Sequence, residues 1–376
     1  MFALFSAGYG MGHHRAADAV CQALKQLFPG EPVEFVDYLS LLPPHLKSAT
    51  LGVHHALTRH WPWGYGVMYQ VTGRLSAIPW WQQLEQGPGA ARLAAWITER
   101  SPRAIIATHP MPLMGLAGLK QQDLLKHPVI GVITDYVAHP SWIRHGVDGY
   151  AVANRRIESL VRQRLGPSVN IRVTGIPIDP AFGRKPSGEL LRARWGWDGR
   201  PHVLISLGSY GMPRRQALTL VHALDELTPA CVLVLLTGRD ETLNTILAHE
   251  AQSHPDWIVR PYQNNMAEWL QACDVVMTPA GALTLTEVAA VGRPLVIYQP
   301  RPGQEWGNAQ WFRDQGAAVL AFHPHEACGA VQTLLTQRQT TQHMVEAMRW
   351  MVPAEAAQQV AYLVQDLVKP DPTKDP

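Results

Sequence analysis

Thr278-Pro-Ala-Gly-Ala-Leu-Thr-Leu-Thr-Glu287 follows the apolar run Val275-Val-Met277 and opens a helical pattern that closes near Gly292. A strand that hands a small-residue turn to a helix start makes an anion site. The first-turn N–H groups lack intrahelical partners, and the helix dipole favours negative charge there. Gly281 lets a ligand approach the backbone. Glu287 lies one to two turns in, where a carboxylate can reach ribose hydroxyls. An ordinary strand-to-helix turn without a ligand accounts for the stretch equally well.

Outward from this stretch, β-type runs alternate with helical patterns: Met1–Ala7, Val33–Leu39, Ala104–Thr108, Val129–Thr134, Tyr150–Ala153 and Ile171–Thr174. After the Pro/Gly-rich stretch Gly175–Gly188 the alternation resumes with Val203–Ser206, Cys231–Thr237, Trp257–Arg260, Val275–Met277, Leu295–Tyr298 and Ala317–Ala321. Apolar strands alternating with helices imply parallel sheets covered on both faces. Two such series predict an α/β protein of two doubly wound, Rossmann-like domains, residues 1–178 and 179–353. Ligands of such sheets bind at the carboxyl ends of strands, so a site is expected in a cleft where the domains face each other. The tail, residues 369–376, reads as disordered.

A chain of 376 residues with 47% hydrophobic and 16% charged side chains has enough material for two cores. The net charge is +2, but residues 1–180 hold 16 basic against 11 acidic side chains. A basic half suits an anionic membrane surface or a phosphorylated ligand. Cys21, Cys231, Cys273 and Cys328 lack metal-type spacing and read as buried thiols of a reducing compartment. Phe2-Ala-Leu-Phe5 is too short for a secretory signal, and no apolar run spans a bilayer. A cytoplasmic protein is expected, soluble or peripheral. Neither a nucleic-acid partner nor an obligate protein partner is expected.

One stretch breaks the alternation. His60-Trp-Pro-Trp-Gly-Tyr-Gly-Val-Met-Tyr69, followed by Ile78-Pro-Trp-Trp81, concentrates Trp and Tyr with Gly and Pro. Amphipathic aromatics suit a membrane interface, so Trp61, Trp63, Trp80 and Trp81 are candidate membrane contacts. A satellite core or a dimer contact would use the same residues.

The first strand ends in Ser6-Ala-Gly-Tyr-Gly-Met-Gly-His-His-Arg15, with glycines at i, i+2 and i+4, unlike the dinucleotide pattern. His13 follows Gly12 at the helix start, where the dipole disfavours its charged form and keeps it available as a base. Capping the helix or binding phosphate would also explain it, and His14 competes for the role. Asp135-Tyr-Val-Ala-His139 follows another strand, as does His109-Pro110. The Asp135/His139 spacing suggests a hydrogen-bonded couple or half a metal site. Ser206-Leu-Gly-Ser-Tyr-Gly211 is a second phosphate-type turn, and Gln304-Glu-Trp-Gly-Asn308 offers groups suited to sugar hydroxyls. There is no Asp-x-Asp pair and no Cys/His cluster, so neither a metal-held diphosphate nor a resident cofactor is expected.

Taken in order, these pieces resemble the two-domain (GT-B) glycosyltransferases of the monogalactosyldiacylglycerol synthase and processive diacylglycerol glucosyltransferase family. That family is related to the lipid-II-forming N-acetylglucosaminyltransferase. The resemblance runs from about Met1 to about Arg349. It is carried by Gly8-Tyr-Gly-Met-Gly-His13, Thr134-Asp135 with His139 and Trp142, Val173-Thr-Gly-Ile-Pro177, Ile205-Ser-x-Gly208, Gly281-Ala-Leu-Thr-Leu-Thr-Glu287 and Pro302-Gly-Gln-Glu305 with Asn308-Ala309. It implies an inverting, metal-independent transferase that moves a hexose from a UDP-sugar to a lipid, most simply diacylglycerol, at the inner face of the cell membrane. His13 would be the base, with Asp135 beside it. Gly12, Gly208, Ser209, Tyr210, Gly211, Gly281, Ala282, Leu283 and Thr284 would cradle the donor. Tyr262 would hold the uracil, Glu287 the ribose, and Gln304, Glu305 and Asn308 the sugar. His109, His139 and Trp142 would face the acceptor, and residues 354–368 would form a helix crossing back to the first domain. Three departures from the family pattern bear on sugar and nucleotide choice: Ala280 and Asp179 replace Gly and Arg, and Leu207 and Ser209 replace glycines. A polyprenyl or soluble acceptor, an epimerase or hydrolase of the same architecture, and a non-enzymatic UDP-sugar binder are the other readings.

Overall fold

The computed structural model describes residues 1–76, 89–184, 188–207, 212–228, 230–353 and 355–368. Trp80, Trp81, the Gly208–Gly211 turn and the 369–376 tail lie outside the described residues. The chain divides into two compact units, Met1–Asp179 with Glu355–Pro376, and Pro180–Ala354.

Unit 1 holds a parallel sheet of β1 (Phe2–Ser6), β2 (Val33–Asp37), β3 (Ala104–Ala107), β4 (Val129–Val132), β5 (Gly149–Val152) and β6 (Asn170–Val173), in the order β2-β1-β3-β4-β5-β6. All five residues of β1 are buried, as are all four of β3, β4 and β5, because helices cover both faces. The chain steps from β1 out to β2 and returns on the other side at β3, which pairs Phe2 with Ala104 and Phe5 with Ala107. The strand order reverses there, and the carboxyl ends of strands at such a reversal are where ligands of doubly wound sheets bind.

The helix Met11–Leu27 turns Ala16, Ala17, Ala19, Val20, Ala23 and Leu24 inward. The helix Ala356–Val368 lies beside it and adds Ala357, Val360, Ala361, Leu363 and Val364 to the core of Phe2, Leu4, Ile106, Ile130 and Val132. Burying a Val or Leu side chain stabilises by about 1.5–3 kcal/mol, so this final helix is integral to unit 1. Arg172 on β6 donates to Asp366 Oδ2 at 2.8 Å and to the Gln359 carbonyl at 3.3 Å, which ties the same helix to the sheet edge. Of the aromatic stretch that breaks the alternation, residues 60–69 run from the end of the helix Pro44–His60 into the helix Pro62–Leu75, and residues 78–81 lie outside the described residues.

Unit 2 repeats the plan with β7 (His202–Ser206), β8 (Val232–Leu236), β9 (Trp257–Arg260), β10 (Val275–Thr278), β11 (Leu295–Tyr298) and β12 (Val319–Ala321), in the order β12-β11-β10-β7-β8-β9. Its reversal falls between β7 and β10, so the turns after Ser206 and after Thr278 occupy the equivalent position. The helix Ala282–Val291 stops at Gly292, whose φ of +74° is the left-handed conformation glycine adopts without strain. The cysteines are free thiols, but only Cys231 and Cys273 are buried; Cys21 and Cys328 keep part of their surface exposed. Among the described residues no helix is long and apolar enough to cross a membrane.

Candidate active site

In unit 1 the loop after β1 is pinned before it reaches His13. Asp37, at the end of β2, accepts the Gly8 N–H at 3.2 Å and the Leu39 N–H at 3.1 Å. A Cβ on Gly8 would come within 3.1 Å of Asp37 Oδ2, whereas one on Gly10 would meet nothing within 4 Å. Gly8 is therefore a packing glycine, and Gly10 leaves open space. Gly12 and His13 form the first turn of the helix Met11–Leu27, which no side chain caps.

His13 Nδ1 lies 3.0 Å from the Thr108 carbonyl and 2.7 Å from Thr134 Oγ1. A carbonyl oxygen only accepts, so Nδ1 carries the proton and Nε2 carries the lone pair. Thr108 Oγ1 donates back to the His13 carbonyl at 3.1 Å. Burial pushes the His13 pKa down to about 4, and neighbouring His14 and His54 lower it further; the Thr108 carbonyl works in the opposite sense. The imidazole is neutral, as the sequence implies. The leading cause, however, is desolvation rather than the helix dipole.

His109 stands edge-on to His13, with ring centroids 4.6 Å apart. Its Nδ1 accepts the Met111 N–H at 3.1 Å, so the proton sits on Nε2, the opposite tautomer to His13. Burial, then His13, His54 and His14, hold its pKa well below the ordinary value. Tyr9 stacks on His109 at 5.5 Å and lies 5.2 Å from His54, while the buried Trp142 is 6.5 Å from His13. His13, His109 and Trp142 thus come together. Thr108, Thr134, Tyr9 and His54 complete the cluster.

Asp135 and His139 both face Tyr69, on the helix Pro62–Leu75. Burial, then the Asp135 carboxylate, push the Tyr69 phenol upward. His139 Nδ1 accepts the Ser141 N–H at 3.2 Å, and Nε2 donates to the Tyr69 carbonyl at 2.9 Å. Both ring nitrogens are engaged, so the half-metal-site reading gives way: a metal ligand needs a free lone pair. Among the described residues no group of His, Cys, Asp or Glu side chains could hold a metal ion. At the start of this helix Trp61 and Trp63 are 64% and 76% exposed, with Val67 and Val71 exposed further along it and Val53 exposed on the preceding helix Pro44–His60. A Cβ on Gly64 would meet the Trp61 ring at 2.3 Å, so this glycine lets the indole lie flat against the helix.

In unit 2, Gly281 is the N-cap of the helix Ala282–Val291, which has no side-chain cap and no acidic residue in its first turn. The nearest atom to a Cβ on Gly281 would be Thr284 Oγ1, at 4.0 Å. Ala282 and Leu283 are buried and Thr284 is half-buried. Glu287 lies in the second turn, 2% exposed. Gln304 and Glu305 open the helix Gln304–Asp314, where Glu305 Oε2 accepts the Arg301 N–H at 3.1 Å. Asn308 is fully buried, and its Nδ2 donates to the Ala280 carbonyl at 3.4 Å, which ties that helix to the Gly281 turn. Gln299, just after β11, holds a left-handed φ of +45° and donates to the Phe322 carbonyl at 2.8 Å. Strain of this kind gathers at functional turns. Tyr262, after β9, lies under the Arg239 guanidinium at 5.0 Å.

Residues 13–178 match the family model described as monogalactosyldiacylglycerol (MGDG) synthase, and residues 202–360 match the glycosyltransferase family 28 C-terminal domain. Processive diacylglycerol beta-glucosyltransferases of Bacillus cereus and Bacillus anthracis are 28% identical over 392 residues, covering 99% of this chain and 96% of each relative. Among solved structures, Acinetobacter baumannii MurG aligns with a TM-score of 0.60 at 18% identity, over 97% of this chain and 99% of MurG. Anabaena HepE, solved with UDP, aligns with a TM-score of 0.56 at 14% identity, over 97% of each chain. These two structural likenesses concern the fold. One family model falls on each parallel sheet, and the chain belongs to the MGDG synthase and family 28 glycosyltransferases, with the GT-B fold.

Proposed function

We propose that this glycosyltransferase is inverting and moves a hexose from a UDP-sugar to diacylglycerol or a close lipid analogue. The observation that carries the reading is the state of His13: a neutral imidazole with Nδ1 hydrogen-bonded inward and a lone pair on Nε2. Nε2 removes the acceptor hydroxyl proton as that oxygen bonds to the anomeric carbon, opposite the breaking bond to UDP. The bonding pair leaves with the diphosphate. The uncapped start of the helix Ala282–Val291 meets the departing charge with backbone N–H groups, without recourse to a metal. The Gly208–Gly211 turn is assigned the same task. Tyr262 takes the uracil, Glu287 the ribose, and Gln304 with Glu305 the sugar. Asn308 holds the turn and is placed one step back from the donor.

The names of the full-length Bacillus relatives support the acceptor class. The exposed Trp61 and Trp63 and the basic balance of residues 1–180 support peripheral docking on an anionic membrane on the cytoplasmic side. Asp135, His109, His139 and Trp142 line the acceptor side in this reading.

The test is incubation with a panel of UDP-sugars and diacylglycerol vesicles, followed by mass analysis of the lipid. A hexose added to diacylglycerol upholds the reading. UDP release without any acceptor would identify a hydrolase or epimerase. Transfer in detergent to a polyprenyl or soluble alcohol, with diacylglycerol inert, would reassign the acceptor.

A further inference from the structure

Among the described residues, the partners of His13 Nδ1 are a carbonyl and a hydroxyl: Thr108 O at 3.0 Å and Thr134 Oγ1 at 2.7 Å. We infer that Thr134 is a positioning residue that acts through His13, giving Nδ1–H a second acceptor beside the Thr108 carbonyl and so aiming the Nε2 lone pair. This rests on His13 being the base. The three atoms form a triangle: Nδ1–H is shared between the Thr108 carbonyl and Thr134 Oγ1, and the Thr134 hydroxyl donates to the same carbonyl at 3.4 Å. Thr134 is 5% exposed, just past the end of β4, so water is a poor substitute for its oxygen.

When Nε2 takes a proton, the ring becomes a cation in a desolvated place. The ionisable groups that act on His13 are His14 on its own helix, His54 on the helix Pro44–His60 and His109 at the start of Pro110–Gln121; each can only add positive charge. Asp135, next in sequence to Thr134, acts on Tyr69. Compensation therefore falls to the Thr108 carbonyl dipole, which raises the His13 pKa against burial, and to the Thr134 hydroxyl oxygen beside it.

Thr134→Val keeps the shape and deletes the hydroxyl; Thr134→Ser keeps the hydroxyl. The test labels histidine with ¹⁵N, assigns the His13 ring signals against His13→Gln, and follows transfer kinetics and Tm. In Thr134→Val the His13 Nδ1 signal shifts as one of its two acceptors is lost, while the Thr108 carbonyl keeps the proton on Nδ1. Transfer kcat falls about tenfold, the effect of one lost hydrogen bond, and the donor KM holds. Thr134→Ser restores both. An unchanged ¹⁵N pattern in Thr134→Val overturns the inference, whether turnover holds or falls, since a fall alone would be packing. If the wild type transfers no sugar while the ¹⁵N pattern still shifts, the positioning stands and the base assignment fails.

Discussion

In unit 1 the ends of three strands meet at one imidazole: His13 after β1, the Thr108 carbonyl and His109 after β3, and the Thr134 hydroxyl after β4. In unit 2 the turn after β10 offers backbone, an uncapped helix start beside a glycine with free space over it. The two sheets share a topology, yet at the reversal of strand order unit 1 gathers side chains around His13, while the turn after β10 in unit 2 presents main chain. On the proposed function the difference follows from the chemistry each unit does. Moving a proton needs a titratable group with a controlled environment. Holding a diphosphate needs fixed dipoles that do not reorganise.

The sharpest way to break the comparison is His13→Ala. Transfer should fall by about 10²–10⁴-fold, the worth of a general base, while calorimetric UDP affinity stays unchanged. Turnover near the wild-type rate would end the base assignment. Gly281→Ala comes next. The protein leaves room for the methyl, so Tm should hold, but the donor KM should rise about tenfold as the added carbon blocks approach to the first-turn N–H groups. A matching loss of Tm, or an unchanged KM, would make Gly281 a structural glycine like Gly8.

Replacing Trp61 and Trp63 together by Ser should weaken sedimentation with anionic vesicles about fivefold and leave transfer to detergent-dispersed lipid intact. Equal vesicle binding by the double variant would make these aromatics structural. The smallest effect concerns pH. Between 6.5 and about 4 the unfolded chain binds a proton at His13 that the folded chain refuses, and His109 is depressed in the same direction. Stability should therefore fall as pH falls through that window, and the buried imidazoles should cost nothing above 6.5. Tm against pH for His13→Gln and His109→Gln should show a shallower acid slope; an unaltered slope would mean that both rings are solvated.

The β-type runs of the sequence all appear as strands; those at the centre of each sheet are buried on both faces and so are written as unbroken apolar runs. Their ends were less legible, and the ends carry the chemistry. The runs Ala104–Thr108 and Val129–Thr134 read Thr108 and Thr134 as strand residues, whereas β3 stops at Ala107 and β4 at Val132. Those few residues free both threonines to hold His13. Asn308 read as a sugar contact, and the structure gives its amide to the Ala280 carbonyl. His54 carries no local signal, since only the packing of Pro44–His60 near Tyr9 brings it to the cluster.

The sequence alone determined two parallel α/β sheets, the glycine-rich and small-residue turns at strand ends, and the identity of His13 and Gly281 as the residues to watch. All of these depend on hydrophobic period and on backbone freedom, which are properties of neighbours along the chain. Only the tertiary structure decided the tautomers of His13 and His109, the cause of their depressed basicity, and the exposure of Trp61 and Trp63. A proton's position on a ring and the water around it are set by atoms as far as 121 residues away in sequence, brought into contact by the order of the strands.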